Sequence, residues 1–126
     1  MTYSDRNELT GRIIGCAIDV HRNLGPGLLE SAYQRCLAYE LKFNSIPFEM
    51  EVPMPVGYKG ICLDVGYRID IIINEQLIVE LKSVKKINNL HKAQILTYMK
   101  LSAIETGLLI NFNVPTLRNG LHRFVL

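Results

Sequence analysis

Tyr67-Arg68-Ile69-Asp70-Ile71-Ile72-Ile73-Asn74-Glu75-Gln76-Leu77-Ile78-Val79-Glu80-Leu81-Lys82 is the stretch on which the fold turns. Two apolar runs flank Asn74-Glu75-Gln76, and each has the composition of a strand in a buried sheet. Charge interrupts both: Asp70 in the first, Glu80 and Lys82 in the second. Charges in buried strands are costly unless they are paired or hold a metal. Side chains alternate along a strand, so Glu80 and Lys82 share a face while Leu81 points away. If Asn74, Glu75 and Gln76 all form the loop, Ile73 pairs with Leu77 and Asp70 lies opposite Glu80. Their Cβ atoms would then start about 4.5–5.5 Å apart. A two-residue loop would pair Asp70 with Val79 and turn Glu80 to the wrong face, so the arrangement needs an odd loop or a bulge.

Working outward, the segment from Ser4 to Leu24 has helical spacing at Leu9, Ile13, Ile14, Ala17, Ile18 and Val20, with Asp5 and Glu8 near the positive end. Gly25-Pro26-Gly27 breaks it, and a second helix is expected over Leu28 to Phe43. Pro47 to Val56 reads as a strand and Gly57-Tyr58-Lys59-Gly60 as a turn. After the hairpin come a third helix over Asn88 to Ser102, a strand over Thr106 to Asn111 and a short strand over His122 to Leu126. The order helix, helix, three strands, helix, strand, strand describes a mixed α/β domain, a small sheet flanked by helices.

At 126 residues the chain is expected to form a single domain, 1–126, with a sizeable core. Its 48% hydrophobic and 21% charged residues are ordinary for a globular protein. A net charge of +2 does not by itself imply nucleic acid, but its distribution is uneven. From Leu81 to Ile104 there are Lys82, Lys85, Lys86, Lys92 and Lys100, with His91 and no acidic residue. Such a stretch attracts a phosphate backbone, although taken alone it equally fits a solvated helix face. Cys16, Cys36 and Cys62 are widely spaced and odd in number, which suggests reduced thiols in the cytoplasm. Thr2 to Glu8 lacks an apolar signal core and no run reaches membrane-spanning length, so no membrane association is expected.

Glu30 falls in the first turn of the second helix, where it suits the helix dipole or offers a further carboxylate to a metal. Tyr33 shares its face. His91, Gln94 and Tyr98 line one face of the third helix, directly after the strand carrying Glu80 and Lys82. His21 suits a capping or packing role, and Tyr58, Tyr67 and Phe112 suit either base stacking or the core. No His/Cys cluster has zinc spacing and no phosphate-cradling glycine loop is present. The strongest chemical set is therefore Asp70, Glu80 and Lys82. Two carboxylates to hold a divalent cation, and a lysine beside the attacking water, are the minimum for metal-dependent phosphodiester cleavage.

Gly27-Leu28-Leu29-Glu30-Ser31-Ala32-Tyr33 resembles the G-x-x-E-x-x-Y signature of a group of small bacterial and archaeal proteins. That group looks like a RecB-like branch of the PD-(D/E)XK nuclease superfamily. The resemblance runs from about Ile13 to Phe124. It takes in Val20 to Gly27, Tyr67-Arg68-Ile69-Asp70, Glu80-Leu81-Lys82, Gln94 with Tyr98, and Gly107 to Phe112. It implies a restriction-endonuclease-like core and a Mg²⁺- or Mn²⁺-dependent deoxyribonuclease leaving a 5′-phosphate and a 3′-hydroxyl. Asp70, Glu80 and the Leu81 carbonyl would be metal ligands, Glu30 would complete the site, and Lys82 would orient water. Gln94 and Tyr98 match the Q-x-x-x-Y motif, which implies that Gln94 positions the site and Tyr98 lies near DNA. Tyr33, Lys85, Lys86, His91 and Lys92 are the further nucleic-acid contacts expected. Ile69 stands where the superfamily's name has proline. A domain this small leaves little material for substrate recognition, so a homodimer or a partner protein is a further expectation. The alternative reading is a non-cleaving nucleic-acid-binding or accessory module that needs a partner.

Overall fold

The computed structural model describes the backbone of residues 3–126 and the side chains of residues 7–126. Thr2 and the Asp5 side chain, both used in the sequence reading, lie outside the described residues. The chain runs α1 (Tyr3–Leu24), α2 (Glu30–Phe43), β1 (Phe48–Pro53), β2 (Val56–Tyr58), β3 (Ile61–Leu63), β4 (Arg68–Ile73) and β5 (Leu77–Lys82). It continues through α3 (Asn89–Ser102), β6 (Thr106–Asn111), a 3₁₀ turn (Leu117–Gly120) and β7 (Leu121–Val125). The main sheet has the order β1-β4-β5-β6-β7, and β2 pairs with β3 separately. Only β5 and β6 run parallel, joined by the α3 crossover; the other pairs are antiparallel. This is the mixed α/β, restriction-endonuclease-like core expected from the sequence.

Two clusters hold the layers together. Ile13, Ala17 and Val20 of α1 and Leu37 and Leu41 of α2 pack against Ile71, Ile73, Val79 and Leu81 on one face. Ile95, Tyr98 and Met99 of α3 cover Ile69, Ile78 and Leu109 on the other. All six residues of β6 are buried, which suits a strand covered on both faces. His21 is buried and its Nε2 meets the Val114 carbonyl at 2.8 Å, a packing role as expected.

The structure corrects several boundaries. The strand expected over Pro47 to Val56 ends at Pro53, because Pro53 and Pro55 cannot donate to a ladder. Val56 then starts a hairpin the sequence reading took for strand end and turn. Its tip is Lys59-Gly60, both at positive φ (47° and 81°), the conformation of a two-residue hairpin loop. The second helix starts at Glu30, not Leu28, because Leu29 is extended at the N-cap (φ −71°, ψ 151°). The last strand begins one residue early, at Leu121, and ends at Val125.

Candidate active site

The β4–β5 hairpin builds the site, and its loop is the odd one required. Asn74 and Glu75 both take positive φ (49° and 57°), and Gln76 N–H donates to the Ile73 carbonyl at 2.9 Å. The register is Ile73↔Leu77, Ile72↔Ile78, Ile71↔Val79. There the ladder stops, one step short of the expected Asp70–Glu80 pair. Side chains take over as acceptors: Asp70 N–H donates to Glu80 Oε2 at 2.7 Å, and Leu81 N–H donates to Asp70 Oδ2 at 2.8 Å. Each carboxylate thus replaces a missing ladder carbonyl and retains a second oxygen.

Strand alternation also breaks at Asp70. Ile71 and Ile73 face α1 and α2, yet Ile69 packs on the α3 side, where regular alternation would not place it. Across the edge, Glu51 of β1 sits at φ +52°, and pairing is kept at Met50↔Ile71 and Val52↔Ile69 on either side of it. A non-glycine residue in the left-handed region inside a strand costs on the order of 1–3 kcal/mol and persists only when its surroundings enforce it. Gln34 of α2 supplies part of that constraint, donating from Nε2 to Glu51 Oε1 at 2.8 Å and to the Asp70 carbonyl at 3.1 Å.

Burial is the main electrostatic fact of the pair. Glu80 is 4% exposed. Its carboxyl is pushed up to about 8, first by desolvation and then by the charge of Asp70. Asp70 is pushed up to about 6 by burial, then by the charges of Glu51 and Glu30; the Leu81 N–H and the Lys82 ammonium pull the other way. Two carboxyls that resist joint ionisation are stabilised by a neighbouring positive charge. Lys82, half-buried on the Glu80 face, lowers both, and among the described residues it makes no ion pair within 4.0 Å.

Several expected residues are drawn toward this pair. Glu30 is exposed at the start of α2 and acts electrostatically on Asp70. Tyr98 is largely buried, its hydroxyl 3.2 Å from Gln94 Nε2, and its pKa is raised by burial and then by the charge of Glu80. Lys82 O accepts from Phe112 N at 2.9 Å, so alternation turns Leu81 N–H and C=O to the opposite edge, toward Asp70.

Others lie elsewhere. Tyr33, expected at a nucleic-acid surface, is fully buried and stacks on Phe112 at 4.4 Å. Its hydroxyl donates to Gly25 O at 2.6 Å and accepts from Leu28 N–H at 3.1 Å, pinning the loop before α2. Ser83 Oγ donates to Leu28 O at 2.5 Å, which ties that loop to the residue after Lys82. His91 completes a capping box with Asn88: Asn88 Oδ1 accepts from His91 N at 2.9 Å, and His91 Nδ1 accepts from Asn88 N at 3.2 Å. Lys85 and Lys86 are exposed, whereas Lys92 is half-buried and its charge acts on His122 of β7.

Sequence reasoning missed Glu51, Gln34 and Asn111. Asn111 is buried and grips the chain after Lys82, its Oδ1 accepting from Val84 N at 3.1 Å and its Nδ2 donating to Val84 O at 2.9 Å. Gln34 carried a faint signal, lying one helical turn after Glu30. Glu51 carried none, since Glu49 sits at an equivalent alternating position.

Among the described residues no group of three or more His, Cys, Asp or Glu side chains is arranged to hold one ion. The hairpin offers two carboxylates and, beside them, the Leu81 backbone carbonyl. That fits a small hard cation, which is commonly bound through one or two carboxylates and keeps several waters. Among the described residues no helix is long and apolar enough to cross a membrane, and the three cysteines are free. A family model described as the PD-(D/E)XK nuclease superfamily matches residues 7–124, nearly the whole length. Neither the curated proteins nor the solved structures give a match.

Proposed function

The chain belongs to the PD-(D/E)XK nuclease superfamily, and on that premise we propose that it is a Mg²⁺- or Mn²⁺-dependent deoxyribonuclease of the G-x-x-E-x-x-Y branch, acting as a single domain. The observation that carries this reading is the reciprocal bonding of Asp70 and Glu80. Each carboxylate is fixed by the other strand's backbone, and its second oxygen is the one this proposal gives to the cation.

Asp70, Glu80 and the Leu81 carbonyl hold the cation in this proposal, with Glu30 acting at longer range through charge. The bound cation would neutralise charge on the scissile phosphate and lower the pKa of a coordinated water. Lys82, on the same face as Glu80, orients that water and adds positive charge where the transition state gains negative charge. Gln94 holds the Tyr98 hydroxyl, on which the charges of Glu80 and Asp70 act. The exposed Lys85 and Lys86 meet the phosphate backbone. The capping of His91 and the position of Lys92 near β7 weaken their place in that contact. Free thiols at Cys16, Cys36 and Cys62 suit a reducing compartment, the cytoplasm.

The test is a cleavage assay on labelled single-stranded, duplex and branched DNA with Mn²⁺, Mg²⁺ or EDTA, beside Asp70→Ala. Metal-dependent cutting that vanishes in the variant is expected. Absence of both cutting and calorimetric metal binding would sink the proposal.

A further inference from the structure

Among the described residues of β4, Asp70 alone has no partner in either neighbouring strand. Toward β1 the register pairs Met50 with Ile71 and Val52 with Ile69, and it skips Glu51 and Asp70 between them. Toward β5 the ladder ends at Ile71↔Val79. The residue whose carboxylate is given to the cation therefore lies in a strand without being held by either ladder. Side chains hold its main chain instead. Its N–H donates to Glu80 Oε2 at 2.7 Å, and its carbonyl accepts from Gln34 Nε2 of α2 at 3.1 Å. Of these two holds, Glu80 is itself assigned to the cation, whereas Gln34 stands outside the ligand set.

The same nitrogen of Gln34 also donates to Glu51 Oε1 at 2.8 Å. A side-chain amide nitrogen carries two hydrogens, so both donors of Gln34 are used at this one point. The bond to Glu51 has an ionised acceptor and is the stronger of the two. Glu51, at φ +52°, is the residue that the β1 register skips opposite Asp70. We propose that Gln34 is a positioning residue of the active site: anchored on Glu51, its amide fixes the Asp70 peptide and, through it, the place of the Asp70 carboxylate. The inference rests on the nuclease reading above and adds a residue to its machinery. A reacting constellation must be held to within about 0.5 Å, and a residue skipped by both ladders needs that hold from elsewhere. Fastening β1 alone would take only the bond to Glu51; the second hydrogen goes to Asp70. A glutamate at this position would instead set acceptors against both the Asp70 carbonyl and the Glu51 carboxylate. Gln34 lies one helical turn after Glu30, so α2 presents both on one side.

The experiment compares wild type with Gln34→Met, which keeps the side chain's length and removes both donors, and with the exchanged pair Gln34→Glu/Glu51→Gln. The exchange restores a bond between positions 34 and 51 with its direction reversed, and leaves an acceptor facing the Asp70 carbonyl. Single-turnover cutting at saturating DNA, calorimetric Mn²⁺ affinity, DNA binding in EDTA and urea unfolding are measured for each. Partners that orient a metal ligand typically contribute about 10–100-fold to affinity or activity. Gln34→Met should lose about that much in cutting rate and in Mn²⁺ affinity, with DNA binding in EDTA unchanged. The exchanged pair should recover the unfolding midpoint and not the rate. A role confined to fastening β1 predicts recovery of both, and that result would overturn the proposal. Amide hydrogen exchange in EDTA reads the hold without metal or substrate. It should quicken at Asp70 in Gln34→Met and not at Ile72 or Ile78, deeper in the ladder; unchanged exchange at Asp70 overturns the proposal. If wild type cuts DNA and Gln34→Met cuts it equally fast, this role falls and the nuclease reading stands. A wild-type protein that neither cuts nor binds Mn²⁺ removes the nuclease reading, and the role with it.

Discussion

Raising the pH in the absence of divalent cations should destabilise this protein through Asp70 and Glu80. Both carboxyls have folded values above their unfolded ones, so their protonated forms favour the fold. Their contribution is complete below about pH 4, where the unfolded carboxyls are protonated too. It is lost as pH rises through about 6 for Asp70 and about 8 for Glu80. The displacement of Glu80 from 4.5 to about 8 sets a ceiling of about 5 kcal/mol, at about 1.4 kcal/mol per pH unit. Asp70 and Glu80 share one repulsion, so their contributions overlap, and a loss of about 2–4 kcal/mol for the pair is expected. That is a large fraction of the stability of an ordinary domain, about 5–15 kcal/mol. Urea unfolding followed by circular dichroism, in EDTA and at a series of pH values, measures it. Asp70→Asn keeps an oxygen to accept from Leu81 N–H but removes one charge, and it should roughly halve the loss. Saturating Mg²⁺ or Mn²⁺ should flatten the wild-type profile, because a cation bound only by the folded state stabilises it. Superimposable profiles of wild type and Asp70→Asn in EDTA, or stability that climbs with pH over this window, would refute the reasoning.

Three further outcomes follow from the same geometry. Lys82→Ala should reduce single-turnover cleavage by at least about 100-fold while shifting unfolding stability by less than about 1 kcal/mol; undiminished cleavage removes the lysine from the mechanism. Glu51→Gln removes a charge that raises Asp70, so the acidic limb of the cleavage profile should move to lower pH. A limb that stays in place would put Glu51 outside the site. Tyr33→Phe strands Gly25 O and Leu28 N–H and should cost about 1–3 kcal/mol in urea unfolding; a neutral result would mean the loop is held by other contacts.

The sequence by itself determined the parts that rest on local periodicity. Helical spacing marked α1 to within a residue of its start at Tyr3, and the two charged apolar runs marked β5 with both its ends and β4 to within a residue of its start. The alternation rule tied a three-residue loop to the facing of Asp70 and Glu80, and the loop has three residues. The G-x-x-E-x-x-Y stretch was legible as a pattern, but its tyrosine was read outward when it points inward. In one helical turn a buried tyrosine and an exposed one look alike; only the loop it pins, Gly25 to Leu28, and Phe112 from the far side of the chain decide between them.

Tertiary structure alone decided the rest. The ladder between β4 and β5 parts after Ile71↔Val79, so the carboxylates bind backbone instead of merely facing one another. Glu51 comes to act on Asp70 at a φ reversal that Gln34 of a neighbouring helix helps to hold. The β2–β3 hairpin, hidden between prolines and a predicted turn, sets Val56 on a cavity that Tyr67 and Tyr98 also line. Backbone periodicity is written in neighbours a few residues apart, whereas desolvation, reversed dihedrals and shared cavities depend on atoms brought together from distant parts of the chain.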